Sequence, residues 1–137
     1  MEEVVHAHGH DNVSGEHAST LEVTSDDFLT PAGDCILGVE ADRVPEAFDD
    51  EFVDACQDGD ATITATIEVD GHETTITGTG HPDLTFESDR SHVLRTSDYV
   101  DDRTVMVGAD AAAGDVDRDL VDALSAGADL TLTLRVD

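Results

Sequence analysis

Asp34-Cys35-Ile36-Leu37-Gly38-Val39-Glu40-Ala41-Asp42 and, further on, Asp102-Arg103-Thr104-Val105-Met106-Val107-Gly108-Ala109-Asp110 read as two copies of one pattern. Each run leads through a short helical pattern to Gly59 or Gly127, then through an alternating segment to Val69-Asp70 or Val136-Asp137. At one constant offset Val39, Ala41, Val53, Ala55 and Gly59 match Val107, Ala109, Val121, Ala123 and Gly127. One residue is then dropped, and Ala61, Thr64, Thr66 and Val69 match Ala128, Thr131, Thr133 and Val136. The front of each copy agrees more loosely, Gly9-His10 with Gly80-His81 and Asp27-Phe28 with Asp98-Tyr99. Repetition at a fixed period sets the architecture before any local signal does. The expectation is one domain, residues 1–137, duplicated from halves 1–70 and 71–137. The competing reading is two unrelated strand–helix–strand units.

Outward from these runs, residues 61–69 and 128–136 alternate strictly, with Ile63, Ile67, Leu130, Leu132 and Leu134 interleaved with threonine. Such alternation predicts half-buried antiparallel strands. Residues 35–39 and 104–107 are nearly all apolar and predict deeper strands. Weaker strands are expected at 4–8, 19–24, 73–79 and 93–94. Asp49 and Asp117 sit where a helix N-cap belongs, and Gly59 and Gly127 where a helix stop belongs. The predicted fold class is mainly β, at the α+β border. It is a duplicated β-sandwich or closed barrel, each pseudo-twofold half carrying one short helix.

Composition bounds the setting. Thirty-three acidic residues face six basic ones, all arginine, for a net charge of −27. The acid is spread along the whole chain over intact apolar periodicity, the mark of a solvated surface rather than a binding tail. At 1 M salt the Debye length is roughly 3 Å, which removes the self-repulsion of such a surface. Adaptation to molar intracellular salt is therefore preferred over a role as an acidic decoy. No basic footprint argues for nucleic acid, and aromatic residues for base stacking are scarce. The start Met-Glu-Glu has neither a basic region nor an apolar run, so no secretory leader is expected. No apolar stretch approaches the roughly 20 residues of a membrane span. A cytoplasmic protein with two reduced thiols, Cys35 and Cys56, is the expectation.

Several motifs resemble the archaeal family known as domain of unknown function 371. They are Gly9-His10-x-Asn12-Val13, His17, Thr20, Glu22, Thr24 and Leu29-Thr30-x-x-Gly33-Asp34-Cys35-Ile36, followed by Arg95-x-Ser97-Asp98-Tyr99, Asp102-Arg103-Thr104 and Ala109-Asp110. The resemblance spans essentially the whole chain. It implies an archaeal source, haloarchaeal by composition, and a sandwich-like β domain, and it implies no activity. Where lysine is expected after each Ala-Asp, this chain has Arg43 and Ala111, which puts any lysine-dependent role there in doubt.

Candidate chemistry is concentrated in the first half. His6, His8, His10 and His17 could supply imidazoles to zinc or another borderline divalent metal, with Asp11, Glu16 or Asp34 nearby; His8, His10 and His17 are the metal candidates. The plain alternative is a strand bearing solvated histidines. Cys35, with Asp34 before it and His10 or His17 as base, is a candidate nucleophile if Arg103 lowers its thiol pKa. A small cysteine opening a buried strand is the structural alternative. Asn12, Glu22, Arg95, Ser97 and Arg103 would suit a small anionic ligand, unless the arginines simply pair with nearby aspartates. Three functions follow in order: a binding module for a small anion or divalent metal, a small hydrolase or transferase using Cys35 or a His-bound metal, or an assembly or regulatory protein. No motif decides whether the chain is an enzyme, and oligomeric state is open.

Overall fold

The computed structural model describes residues 1–137. Eight strands run in chain order with two short helices: β1 Glu2–His8, β2 Thr20–Thr24, β3 Ile36–Gly38, α1 Asp50–Cys56, β4 Thr62–Val69, β5 His72–Thr79, β6 Ser91–Arg95, β7 Thr104–Met106, α2 Arg118–Ser125 and β8 Asp129–Val136. Alternation does what it predicts. Ile63, Ala65, Ile67 and Val69 of β4 and Leu130, Leu132, Leu134 and Val136 of β8 are buried, while the intervening threonines face outward. Asp49 and Asp117 each accept the backbone N–H two residues on, capping α1 and α2. Gly127 adopts φ 92° after α2 and stops it as expected, but Gly59 has no such conformation. There α1 ends instead in a turn closed by Asp58, whose Oδ1 accepts the Asp60 N–H at 2.8 Å.

The strands form two four-stranded sheets, ordered β1-β8-β4-β5 and β3-β2-β6-β7. They make a sandwich-like pair around one core of 32 buried residues, not a closed barrel. Only the single bridges His8–Val39 and Thr79–Val107 join the sheets at their flanks. These bridges and the loops beside them shield the sheet edges. β3 and β7 are edge strands paired in parallel with β2 and β6, yet Leu37, Val105 and Met106 are fully buried. Exchanging β1 to β4 for β5 to β8 maps the order of each sheet onto its own reverse.

The same correspondence holds at the level of single bonds. The Asp42 N–H donates to the His6 carbonyl at 2.9 Å and its Oδ1 accepts the His6 N–H at 2.8 Å. Asp110 repeats both bonds on Thr77, at 2.9 and 3.0 Å. Each aspartate thus pins the middle of the first strand of its half to the far end of the chain's next turn. Packing is matched by complementary size rather than identity. Gly38 lies against Ala7, whereas its counterpart Met106 lies against Gly78. A Cβ on Gly78 would sit 2.4 Å from Met106 Cγ, so the larger residue on one side requires the smaller on the other.

Candidate functional site

Hydrogen bonding sorts the histidines by tautomer. His10 Nδ1 accepts the Asn12 N–H at 3.0 Å, and its counterpart His81 accepts the Asp83 N–H at 3.0 Å. His17 Nδ1 accepts the N–H groups of Ser19 and Thr20 at 3.2 and 3.1 Å. Ser88, in the corresponding place, accepts those of Arg90 and Ser91 through its hydroxyl. A nitrogen that accepts a backbone N–H carries no proton, so a neutral ring holds its proton on Nε2 and offers no lone pair there. Asp11 also lies 3.0 Å from His10 Nδ1, but its side chain is almost wholly exposed. The backbone bond, repeated in His81, fixes the ring. His10, His17 and His81 are turn-capping groups, and with His8 they form no metal-ligating set. No three His, Cys, Asp or Glu side chains are gathered so as to hold an ion.

The thiol chemistry also changes. Cys35 Sγ lies 3.8 Å from Glu22 Oε1. Burial first, and then the Glu22 carboxylate, push its pKa up rather than down. Arg103, expected to activate it, binds Asp101 Oδ2 at 3.1 Å, and Arg95 binds the same oxygen at 3.0 Å. Burial opposes ionisation of Asp101, but hydrogen bonds from Arg103, the charge of Arg95 and a bond from Thr104 outweigh it and leave its carboxyl below the ordinary value. Cys56 is buried, with its thiol pushed up to about 12. Burial thus holds both cysteines in the thiol form rather than activating them.

The other arginines are committed as well. Arg43 holds Glu3 at 3.0 Å, Arg90 holds Asp26 at 2.9 Å, and Arg135 lies 3.6 Å from Asp137. Arg118 donates to the carbonyls of Ser14, Ala113 and Val116. Asn12 Nδ2 donates to the Leu29 carbonyl at 2.8 Å, and Ser97 Oγ accepts the Tyr99 N–H. Asp34 contributes its carbonyl to the N–H groups of Glu16 and His17. Asn12, Arg95, Ser97 and Arg103, expected to recognise an anion, thus all have hydrogen-bond partners within the protein.

What remains is a cavity that the sequence reading passed over. Loops 80–90 and 96–103 enclose about 700 Å³ open to solvent. Its walls are His81, Asp83, Thr85, Glu87, Asp98, Tyr99, Val100, Asp101 and Asp102. Five of the nine are carboxylates, and arginine holds only Asp101. Arg95 stacks 4.8 Å from the Tyr99 ring centroid, fixing an aromatic side chain that is 59% exposed. The corresponding loops of the first half enclose no such cavity. There Asn12 ties one loop to the other, where its counterpart Asp83 has no side-chain N–H to donate. The sequence signals that touch this site are the pairings of Gly80-His81 and Asp98-Tyr99 with the first half and the family motifs that hold Asp98, Tyr99 and Asp102.

Comparison with known proteins agrees with the motifs. A family model described as Domain of unknown function (DUF371) matches residues 5–137. The chain is also similar to an uncharacterized protein of Methanocaldococcus jannaschii, 40% identical over 136 residues, covering 99% of this chain and 100% of that protein.

Proposed function

This chain belongs to the DUF371 family, and from its geometry we propose that it is a cytoplasmic, non-enzymatic binding module for a small organic cation. The supporting observation is the second-half cavity, where Asp83, Glu87, Asp98 and Asp102 face solvent-filled space without an arginine partner. Low-dielectric walls of one sign raise the local concentration of the opposite charge. The cavity volume lies in the range that takes a small ligand, and Tyr99 offers an aromatic face to an amine or guanidinium. No arginine lines this cavity, and five carboxylates do, which turns the expected ligand charge from negative to positive. Two further parts of this reading are the duplication of halves 1–70 and 71–137 and a working medium of molar salt.

The test is an NMR titration in molar potassium salt with 1,4-diaminobutane and arginine amide as cations and phosphate as the anion. The cations should shift resonances of residues 98–102 and 81–87, and Tyr99→Ala should weaken that response several-fold. Phosphate shifting those resonances while the amines leave them in place would return the site to the anion reading.

A further inference from the structure

Two backbone bridges join the sheets, one at each flank, and they differ in the side chains set on them. At the first, the His8 N–H donates to the Val39 carbonyl at 3.1 Å and the Val39 N–H to the His8 carbonyl at 2.8 Å. At the second, Thr79 and Val107 exchange the same bonds at 2.8 and 3.1 Å. The residue after each valine is left-handed, Glu40 at φ 54° and Gly108 at φ 58°. Their backbones are held alike. The Glu40 N–H donates to the Asp26 carbonyl at 2.8 Å, and the Gly108 N–H to the Ser97 carbonyl at 3.0 Å. Glycine thus meets every need of the backbone here, yet the first half keeps a side chain in a conformation that strains it.

That side chain ends on a histidine. Glu40 Oε1 lies 3.0 Å from His8 Nε2, and the Gly9 carbonyl lies 2.8 Å from His8 Nδ1. A carbonyl and an ionised carboxylate can only accept, so the ring is satisfied on both sides only as the imidazolium. Gly9 is itself fixed, its N–H donating to the Ala128 carbonyl at 2.8 Å. Asp129, the cross-strand partner of His8 on β8, adds a second carboxylate to the same groove. His6, two residues along the same face of β1, turns its Nδ1 to the Thr131 hydroxyl at 3.3 Å. In the second half the positions of His6, His8, Glu40 and Asp129 are taken by Thr77, Thr79, Gly108 and Thr62, none of which titrates.

We propose that His8 is a pH-sensitive clasp on the first-half flank, which holds Glu40 while charged and frees the neighbouring His8–Val39 bridge when it loses its Nε2 proton. The charged ring ties the Gly9 carbonyl at the end of β1 to the Glu40 carboxylate beyond β3. Gly9 is fixed, whereas the Glu40 side chain is 54% exposed and free to leave, so Nε2 is the nitrogen that gives up its proton. Its lone pair then faces a carboxylate, Glu40 turns to solvent, and the bridge beside it loosens. The Thr79–Val107 bridge has no such group and keeps its strength. The Gly9 carbonyl first, then the Glu40 and Asp129 carboxylates, outweigh burial and raise the His8 pKa above its ordinary 6.5. The clasp is therefore fully closed below that ordinary value and opens as pH rises through the raised one.

The two valine amides supply the test. Val39 follows Gly38 and Val107 follows Met106, so no titrating side chain at either position alters the intrinsic exchange rate. Hydrogen exchange of the Val39 N–H, divided by that of Val107 in the same molecule, cancels the general rise of exchange with pH. Followed by NMR on the untagged chain in molar potassium salt, this ratio should rise about two- to fivefold as His8 titrates, the range of an exposed ion pair. Glu40→Gly copies the second half; it should lower the His8 titration and leave the ratio flat. A wild-type ratio that does not move with pH, one that moves equally in folded Glu40→Gly, or a His8 ring that titrates at or below 6.5 overturns the proposal. The wild-type ratio and ring titration decide it even if the variant fails to fold.

Discussion

The first half of the chain carries histidines and a left-handed glutamate where the second carries threonines and glycine; the second carries an open acidic cavity where the first has a closed loop pair. Between them the strand order, the helix caps and the paired aspartate clamps are the same. The contrast separates two kinds of residue. Those that hold the frame recur in both halves, and those with unspent polar chemistry occur once. It also shows that a candidate site can come from a subtraction. Where Asn12 ties its loop through an amide, Asp83 lines the open cavity and has no such donor.

The sharpest break in the correspondence lies in the core. His92 takes the place of Leu21 and is fully buried. It stacks on Phe48 with ring centroids 5.3 Å apart, and its Nε2 donates to the Arg43 carbonyl at 2.8 Å, while Nδ1 has no partner. Burial lowers its pKa from 6.5 to about 4, against the raising effect of the Arg43 carbonyl. Between those values the unfolded chain binds a proton that the native chain refuses. Stability is therefore full above pH 6.5 and falls as pH drops toward 4, by up to about 3 kcal/mol. His92→Leu, which restores the first-half residue, should remove that part of the acid sensitivity. Denaturant unfolding at several pH values between 6.5 and 5 checks it; identical pH slopes in the two proteins would refute the assignment.

Exchanged packing offers the next comparison. Gly78→Ala places a methyl against Met106 Cγ and the Val107 carbonyl and should cost about 2 kcal/mol. Adding Met106→Ala recreates the small-residue arrangement of the first half, so the double variant should be more stable than the sum of the single effects by about 1 kcal/mol. Strict additivity in a thermal double-mutant cycle would mean that Gly78 and Met106 pack independently of each other.

The smallest effect concerns the loops. Asn12→Asp removes the donor to the Leu29 carbonyl and copies Asp83. It should cost about 1 kcal/mol and loosen loop 25–35, read as faster amide exchange around Phe28. Unchanged exchange there would detach the second-half cavity from the Asn12/Asp83 difference.

The parts of the fold legible in sequence were those with a short, clean period. β4 and β8 alternate because one face is wet, and the helix caps announce themselves through aspartate. β6 was seen only at Val93-Leu94, although it spans Ser91–Arg95, because Ser91 and His92 are polar residues buried by what packs over them. The parallel pairing of β3 and β7 depends on loops that return along the sheet, which no local pattern encodes. Among site residues, Arg95 and Arg103 stood out by scarcity, but Asp101, which both of them bind, was one aspartate among many. Histidine tautomers are set by which backbone N–H or carbonyl lies next to the ring. His10, His17 and His8 therefore looked equivalent in sequence and are not in structure.

In the large sheet the strands alternate by half: β1 and β4 come from the first, β8 and β5 from the second, and β8 lies between β1 and β4. Neither half owns two adjacent strands of that sheet, so neither can begin it unaided. A chain nicked at the Asp70-Gly71 turn would have to assemble as an interlaced pair, and a folding step that is unimolecular in the intact protein would acquire a concentration dependence. The covalent link between halves thus acts as a source of effective concentration, keeping each unfinished sheet within reach of the only strands that complete it.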